Sequence, residues 1–326
     1  MVPRYFKLQR RIPSQLFWFI IVFIFCIPFQ ISPGTAEETR TMAIVLRSQQ
    51  IAAYNDVIKG FEDGCKGNGI SIKAIYDLKG DVGEGKRVMV NIKNDHIRPD
   101  VVFAVGVLAA TLAKEYFPHT PIIFCMVINH ERFDLDGPNI TGISSEASVE
   151  DQFSILKELL GTRKNIGVIY DPTKTKRIIT EATVVAKTYE FNLVTAEVMS
   201  ENDINSTLDR ILKKIDALWI VPDSTVITKN SLGTILQASQ KCRLPTICTS
   251  VAIVKGGALV SISPDYLYTG VQAAKLAQTL LRTPTRTSLG IQQPDKLKIV
   301  INTQAAKTIG TNLSSLQSRT DVVFYP

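Results

Sequence analysis

Asp100-Val-Val-Phe-Ala-Val-Gly106-Val-Leu-Ala-Ala-Thr-Leu-Ala113 decides how the chain folds. Its first half is a short apolar run of β type. Gly106 breaks it, and the run that follows is helix-forming. In a parallel α/β sheet a strand-glycine-helix turn lies at the carboxyl edge, where the unpaired N–H groups of the new helix face an open crevice. A small anion such as a carboxylate is a natural guest there. The competing role for Gly106 is only to make the turn tight.

The same alternation spreads outward in both directions. Residues 41–46 read as a strand, 54–65 as a helix with Tyr54, Val57, Ile58 and Phe61 on one face, 70–76 as a strand and 86–94 as a helix. Residues 121–127 follow as a fourth strand. A second series then places helices at 149–160, 175–189, 201–215 and 225–241. It places strands at 165–170, 191–198, 216–221, 244–249 and 257–262. A long Ala-rich helix at 268–282, a strand at 297–302 and a short helix to Ile309 close the chain. Alternation throughout predicts an α/β protein of two doubly wound, Rossmann-like lobes with parallel sheets, right-handed crossovers and a central ligand cleft. The first lobe is expected to hold 37–142 plus about 265–290, and the second 143–264 plus about 291–326, with crossovers near 141–144, 250–255 and 285–294.

A chain of 326 residues suits two ordinary domains, and 45% hydrophobic with 21% charged residues describes a globular protein. The formal charge of +7 is mostly local. Residues 1–36 carry Arg4, Lys7, Arg10 and Arg11 and no acid, so removing these 4 from 37 basic residues leaves 33 against 30 acidic, a net of +3. No basic stripe interleaved with aromatics remains, which excludes a nucleic-acid surface. The early positives precede the apolar run from Leu16 to Phe29, then Ser32-Pro-Gly-Thr-Ala36, the pattern of a signal peptide for the general export route. Gly34 and Ala36 stand three and one before a cut preceding Glu37. A retained anchor is the alternative, but Pro28 interrupts a run shorter than the roughly 20 residues of a bilayer span. The expected location is therefore the periplasm or another extracytoplasmic space.

Of the cysteines outside that leader, Cys242 and Cys248 are close enough in sequence to pair, while Cys65 and Cys125 occupy positions typical of buried thiols. With no Cys-x-x-Cys and with His96, His119 and His130 scattered, neither a metal nor another cofactor is expected. Gly80-Asp-Val-Gly-Glu-Gly85-Lys86-Arg87 imitates a P-loop, but Arg87 stands where a Ser or Thr must hold magnesium, so it reads as a polar turn before a helix. No Gly-x-Ser-x-Gly elbow or nucleophile-base set is visible.

Several segments, in their order and spacing, resemble one family. They are the opening stretch, Thr120-Pro-Ile-Ile-Phe124, Asn139-Ile-Thr-Gly142, Ile166-Gly-Val-Ile-Tyr170, Asp216-Ala-Leu-Trp-Ile-Val-Pro-Asp223, Gly257-Ala-Leu259 and Asp265-Tyr266. From about Met42 to Gly310 the chain is similar to the extracytoplasmic solute-binding proteins of ABC transporters with the type I periplasmic-binding fold, in the branch that takes tryptophan and other aromatic amino acids. The resemblance implies that Gly106 and Val107 offer backbone N–H groups to a ligand carboxylate and that Thr141 adds a hydroxyl. It implies that Asp223 receives an ammonium, with Ser224 beside it. Ser48, Gln49, Ser250 and Asp265 complete the expected ligand set. Each of these residues also has ordinary turn or cap duty open to it. Asn129, Pro264 and Ser224 stand where relatives usually carry Asp, Gly and Asn, which leaves the ligand's identity open.

The resemblance further implies capture without catalysis: a monomer closes on a small solute, an amino acid or similar carboxylate, and docks on an ABC permease. A receptor signalling to a membrane sensor kinase would look the same in sequence, and an exported two-lobe enzyme is the alternative from another class. Trp219 reads as core. Tyr54, Tyr170 and Tyr266 are placed to stack on a flat ligand.

Overall fold

The structure, a computed structural model, describes residues 41–326. The leader and its cleavage site lie outside the described residues. Two twisted sheets carry the fold. The first takes β1 (Thr41–Arg47), β2 (Ile70–Asp77), β3 (Val101–Val105), β4 (Ile122–Cys125) and β5 (Ile140–Ile143), and later β11 (Ile291–Gln292). Its order is β11-β5-β4-β3-β1-β2, parallel throughout. Helices α1 (Ala52–Lys66), α2 (Val82–Asn94) and α3 (Val107–Tyr116) supply the crossovers. Asp81 caps α2 by accepting from Glu84 N, so the P-loop-like segment is the expected turn.

The second sheet takes β6 (Asn165–Tyr170), β7 (Asn192–Glu197), β8 (Ala217–Trp219), β9 (Thr246–Cys248), β10 (Val260–Pro264), β12 (Leu297–Asn302) and β13 (Val322–Tyr325), ordered β13-β12-β10-β9-β8-β6-β7. Around it lie α4 (Val149–Leu160), α5 (Pro172–Thr188), α6 (Ile204–Ile211), α7 (Ser231–Lys241), α8 (Val251–Lys255) and α10 (Thr303–Ile309), while α9 (Tyr266–Arg282) returns to the first lobe. Both faces of each sheet are covered, which is why strands such as Val101–Val105 are buried at every position.

The sheets are not wholly parallel as expected. β12 runs antiparallel to β10, pairing Leu297 with Pro264. The chain leaves β10 at the sheet's carboxyl edge, builds α9 and β11 on the first lobe, and re-enters from that same edge, so it must run back. Residues 250–255 were expected to cross between lobes but form α8, because Ile253 and Val254 are buried in the second lobe's core. The chain crosses instead between β5 and α4, between β10 and α9, and between β11 and β12. The helix expected at 225–241 begins only at Ser231, since the N–H groups of 225 and 226 turn to a carboxylate described below and that of 227 to the same residue's carbonyl.

Small residues let α1 and α9 touch. A Cβ on Gly60 would lie 1.8 Å from the Leu267 carbonyl oxygen, and one on Gly270 1.9 Å from that of Val57. Beneath them Phe61 stacks on Phe103 at 4.2 Å. In the second lobe Trp219 meets Phe153 edge-on at 5.3 Å and donates from Nε1 to Gln152 Oε1, so it is core as expected. All four described cysteines are free, Cys242 is exposed, and Cys248 is buried away from it. No described helix is long and apolar enough to cross a membrane.

Candidate functional site

Each sheet reverses its strand order once in a way that opens a crevice at the carboxyl edge: between β1 and β3 in the first lobe and between β6 and β8 in the second. At the first crevice Ser48 donates from its backbone to Val105 O and accepts from Ala109 N on Oγ, both at 2.9 Å. Gly106 sits at φ +90°, and a Cβ there would lie 2.7 Å from both Ser48 Oγ and Tyr54 Oη. Glycine is therefore what allows the β1 loop, the start of α1 and the start of α3 to meet. With Ala109 N held by Ser48, the N–H groups of Val107 and Leu108 keep no protein acceptor among the described residues and remain for the crevice.

At the second crevice two acids meet. Asp223 is 1% exposed. Its Oδ2 accepts from Asp171 N at 2.8 Å and Thr175 Oγ1 at 2.7 Å, and its Oδ1 from Thr225 N at 2.9 Å and Val226 N at 3.3 Å. Asp171 caps α5 through Thr173 N and Thr173 Oγ1, and its other oxygen takes the Thr225 hydroxyl at 2.7 Å. The Thr225 hydroxyl, then that of Thr173, hold the Asp171 carboxyl below the usual carboxylate range.

A cavity of about 450 Å³ opens between these crevices. The first lobe gives it Tyr54 and Val107, and the second Lys174, Pro222, Asp223, Ser224 and Ile227. The remaining wall is the loop after β4, through Met126, Ile128, Asn129, Arg132 and Phe133. That loop is backbone-strained, with Met126, Asn129 and Asp134 at φ +59°, +50° and +51°. Lys114 Nζ anchors it through the Asp134 carboxylate at 2.8 Å and holds that acid below its usual range. Ile128 and Phe133 are 50% and 36% exposed, so the cavity presents large apolar groups to water. Burial raises the Tyr54 phenol above its ordinary pKa.

A second cavity of about 340 Å³ lies on the crossover side, sharing Pro222 with the first. Glu146, in the crossover between β5 and α4, faces it, and its buried Oε1 has no partner. Desolvation pushes this carboxyl up to about 7, with Arg177 opposing and Glu131 adding to the rise. Glu131 of the first lobe and Arg177 of α5 pair at 2.6 Å across the lobes.

Of the residues expected to touch ligand, Val107, Asp223 and Ser224 line the 450 Å³ cavity, and Ser48 and Gly106 shape its floor. Gln49 is exposed just beyond the end of β1. Thr141 is fully buried and accepts from Leu289 N, which ties down the segment before β11 rather than reaching the cavity. Asp265 caps α9 through Tyr268 N, and Ser250 precedes α8. Among the tyrosines Tyr54 reaches the cavity, whereas Tyr170 donates to Glu197 Oε1 at 2.7 Å and Tyr266 packs in the first lobe's core. Sequence reading missed Arg132, Lys174, Asp171 and Glu146. Asp171 directly follows β6 and Lys174 lies in the first turn of α5, so the carboxyl-edge rule that marked Asp223 marks them equally. Nothing local distinguishes Arg132 or Glu146.

The family model for ABC transporter substrate binding proteins matches residues 48–319. The chain belongs to this family. A tyrosine-binding protein of Clostridioides difficile is 23% identical over 266 residues, covering 79% of this chain and 76% of its own. Among solved structures, a ligand-free, open substrate-binding protein with adhesive properties from Clostridium difficile matches with a TM-score of 0.74 at 20% identity, covering 87% of this chain and 99% of its own. A Streptococcus protein in complex with L-Trp matches at 0.62 and 23%, covering 87% of this chain and all (100%) of its own. These likenesses establish the two-lobed substrate-binding fold, and the family is one of binding proteins.

Proposed function

We propose that this family member captures a small carboxylate solute, an amino acid or a close relative of one, in the cleft between its lobes and delivers it to an ABC permease without chemical change. The observation that carries the reading is the cavity where two carboxyl edges face each other, floored by the free N–H groups at the start of α3. Three crossovers join the lobes, the architecture of a hinge that closes around a ligand. Relatives named for tyrosine and solved with L-Trp support a solute with an apolar body. Export with removal of residues 1–36, and action as a monomer, belong to the same proposal. A ligand that binds only the folded protein raises its melting temperature by mass action. A thermal-shift screen of the purified protein against amino acids and related carboxylates should therefore show a concentration-dependent rise with at least one of them. No rise with any would defeat the capture reading.

A further inference from the structure

The cavity's charges do not match a zwitterion. Asp223 is the one acid among its described lining residues, and an ionised carboxylate offers about four acceptor positions. Four donors from within the protein take them: the Thr225 N–H, the Asp171 N–H, the Thr175 hydroxyl, and the Val226 N–H, which at 3.3 Å is shared with the Asp223 backbone carbonyl. Buried to 1% exposure, Asp223 has nothing left for a ligand ammonium unless it surrenders a bond that holds the β6 and β8 loops together. Asp171, the acid behind it, is likewise buried and committed to Thr173 and Thr225.

The cations face the other way. Arg132 and Lys174 line the cavity from opposite lobes, and neither forms an ion pair among the described residues. Glu131, next to Arg132, is taken by Arg177, and Asp134 by Lys114. Two positive side chains without an ion-pair partner among the described residues, though Lys174 also lies near enough to Asp171 to help lower its carboxyl, the free N–H group of Val107, and an apolar wall of Tyr54, Ile128 and Phe133 therefore converge on one space. A cleft with that balance gains most from a guest that brings negative charge and apolar surface, since closure around it buries both.

Building on the capture reading above, we propose that the solute is an apolar-bodied carboxylate whose charge is neutralised by Arg132 and Lys174 across the cleft, with no requirement for an α-ammonium. Such a solute draws the lobes together by bridging cations of opposite lobes. Ser224 and Asn129 remain available to hydrogen-bond a polar substituent on its body.

The test titrates the purified protein calorimetrically with matched pairs differing only in the amino group: L-tyrosine with 3-(4-hydroxyphenyl)propionate, L-phenylalanine with 3-phenylpropionate, L-tryptophan with 3-indolepropionate, and L-leucine with 4-methylpentanoate. In at least one pair the deaminated acid should bind as tightly as the amino acid or tighter. Arg132→Met and Lys174→Met should each weaken that binding about 10-fold or more, the scale of a lost charge-assisted hydrogen bond, while leaving the ligand-free melting temperature in place. Affinity should also fall with added salt. An amino acid binding at least 10-fold more tightly than its deaminated partner in every productive pair overturns the inference and leaves capture standing. So does binding that survives both substitutions. Failure of all eight compounds overturns it too, and the capture reading falls with it only if the wider screen is also blank.

Discussion

Glu146 gives the sharpest test of the energetics at the lobe crossover. Its carboxyl is lifted from an ordinary 4.5 to about 7, chiefly by desolvation. One tenfold change in proton affinity corresponds to about 1.36 kcal/mol, so ionised Glu146 costs the folded state on the order of 3 kcal/mol. The folded protein holds this proton more tightly than the unfolded chain, so stability falls as pH rises from 4.5 through 7 and is level beyond. Glu131, Arg177, His130 and Glu181 face the same cavity, and only Arg177 opposes the rise. Glu146→Gln removes the ionisation and keeps the shape. The variant should therefore gain on the parent steadily from about pH 4.5, by roughly 5 °C in all as the pH reaches 7, with little further change to pH 8. The amide's own unpaired N–H lowers both ends of the profile equally, so the slope of the difference is the readout. Scanning calorimetry across pH 4.5–8.5 measures it. A difference that stays flat across that range refutes the burial argument, and a variant that loses ground with rising pH reverses it.

Gly106→Ala should abolish ligand-induced stabilisation and lower the melting temperature, because the new methyl meets Ser48 Oγ and Tyr54 Oη at 2.7 Å on a backbone at φ +90°; an unchanged thermal-shift response would contradict the geometry. Gly270→Ala places a methyl 1.9 Å from the Val57 carbonyl, so α1 and α9 must separate at a cost of about 3 kcal/mol or more, read as a lower urea midpoint. Asp223→Ala leaves Asp171 N buried without an acceptor and Thr175 Oγ1 with only its 3.4 Å contact to the Asp171 carbonyl, and should cost about 3 kcal/mol even without ligand, whereas a residue serving ligand alone would leave apo stability intact. Thr225→Val removes the donor that lowers the Asp171 carboxyl. That stabilisation exists above the unfolded pKa and fades as pH falls, so the variant's deficit in melting temperature should be largest near neutrality and shrink toward pH 3.

Strand-glycine-helix punctuation around Gly106 and the alternation on either side determined the α/β class and the carboxyl-edge location of the site, because both follow from hydrophobic period and backbone stereochemistry within a few residues. The same rule picked out Val107, at the helix start after β3, and Asp223 and Ser224, in the loop after β8, as candidate cleft residues. Local pattern also placed Trp219 in the core and kept Cys65 and Cys125 as buried thiols. Tertiary structure alone decided the direction of β12, since antiparallel entry depends on where α9 docks, ending 15 positions before β12 (282 to 297) and packed on α1 through Gly60 and Gly270. It decided that Thr141 serves β11 and not the cleft. It also decided which charges are spent and which are free: Asp223 looks like a ligand acid in sequence, but its four acceptor positions are filled by donors at 171, 175, 225 and 226, while Arg132 and Lys174, unremarked among 37 basic residues, are left facing the cavity. Charge pairing depends on distance in space, and residues 42 positions apart meet across a cleft that neither segment encodes by itself.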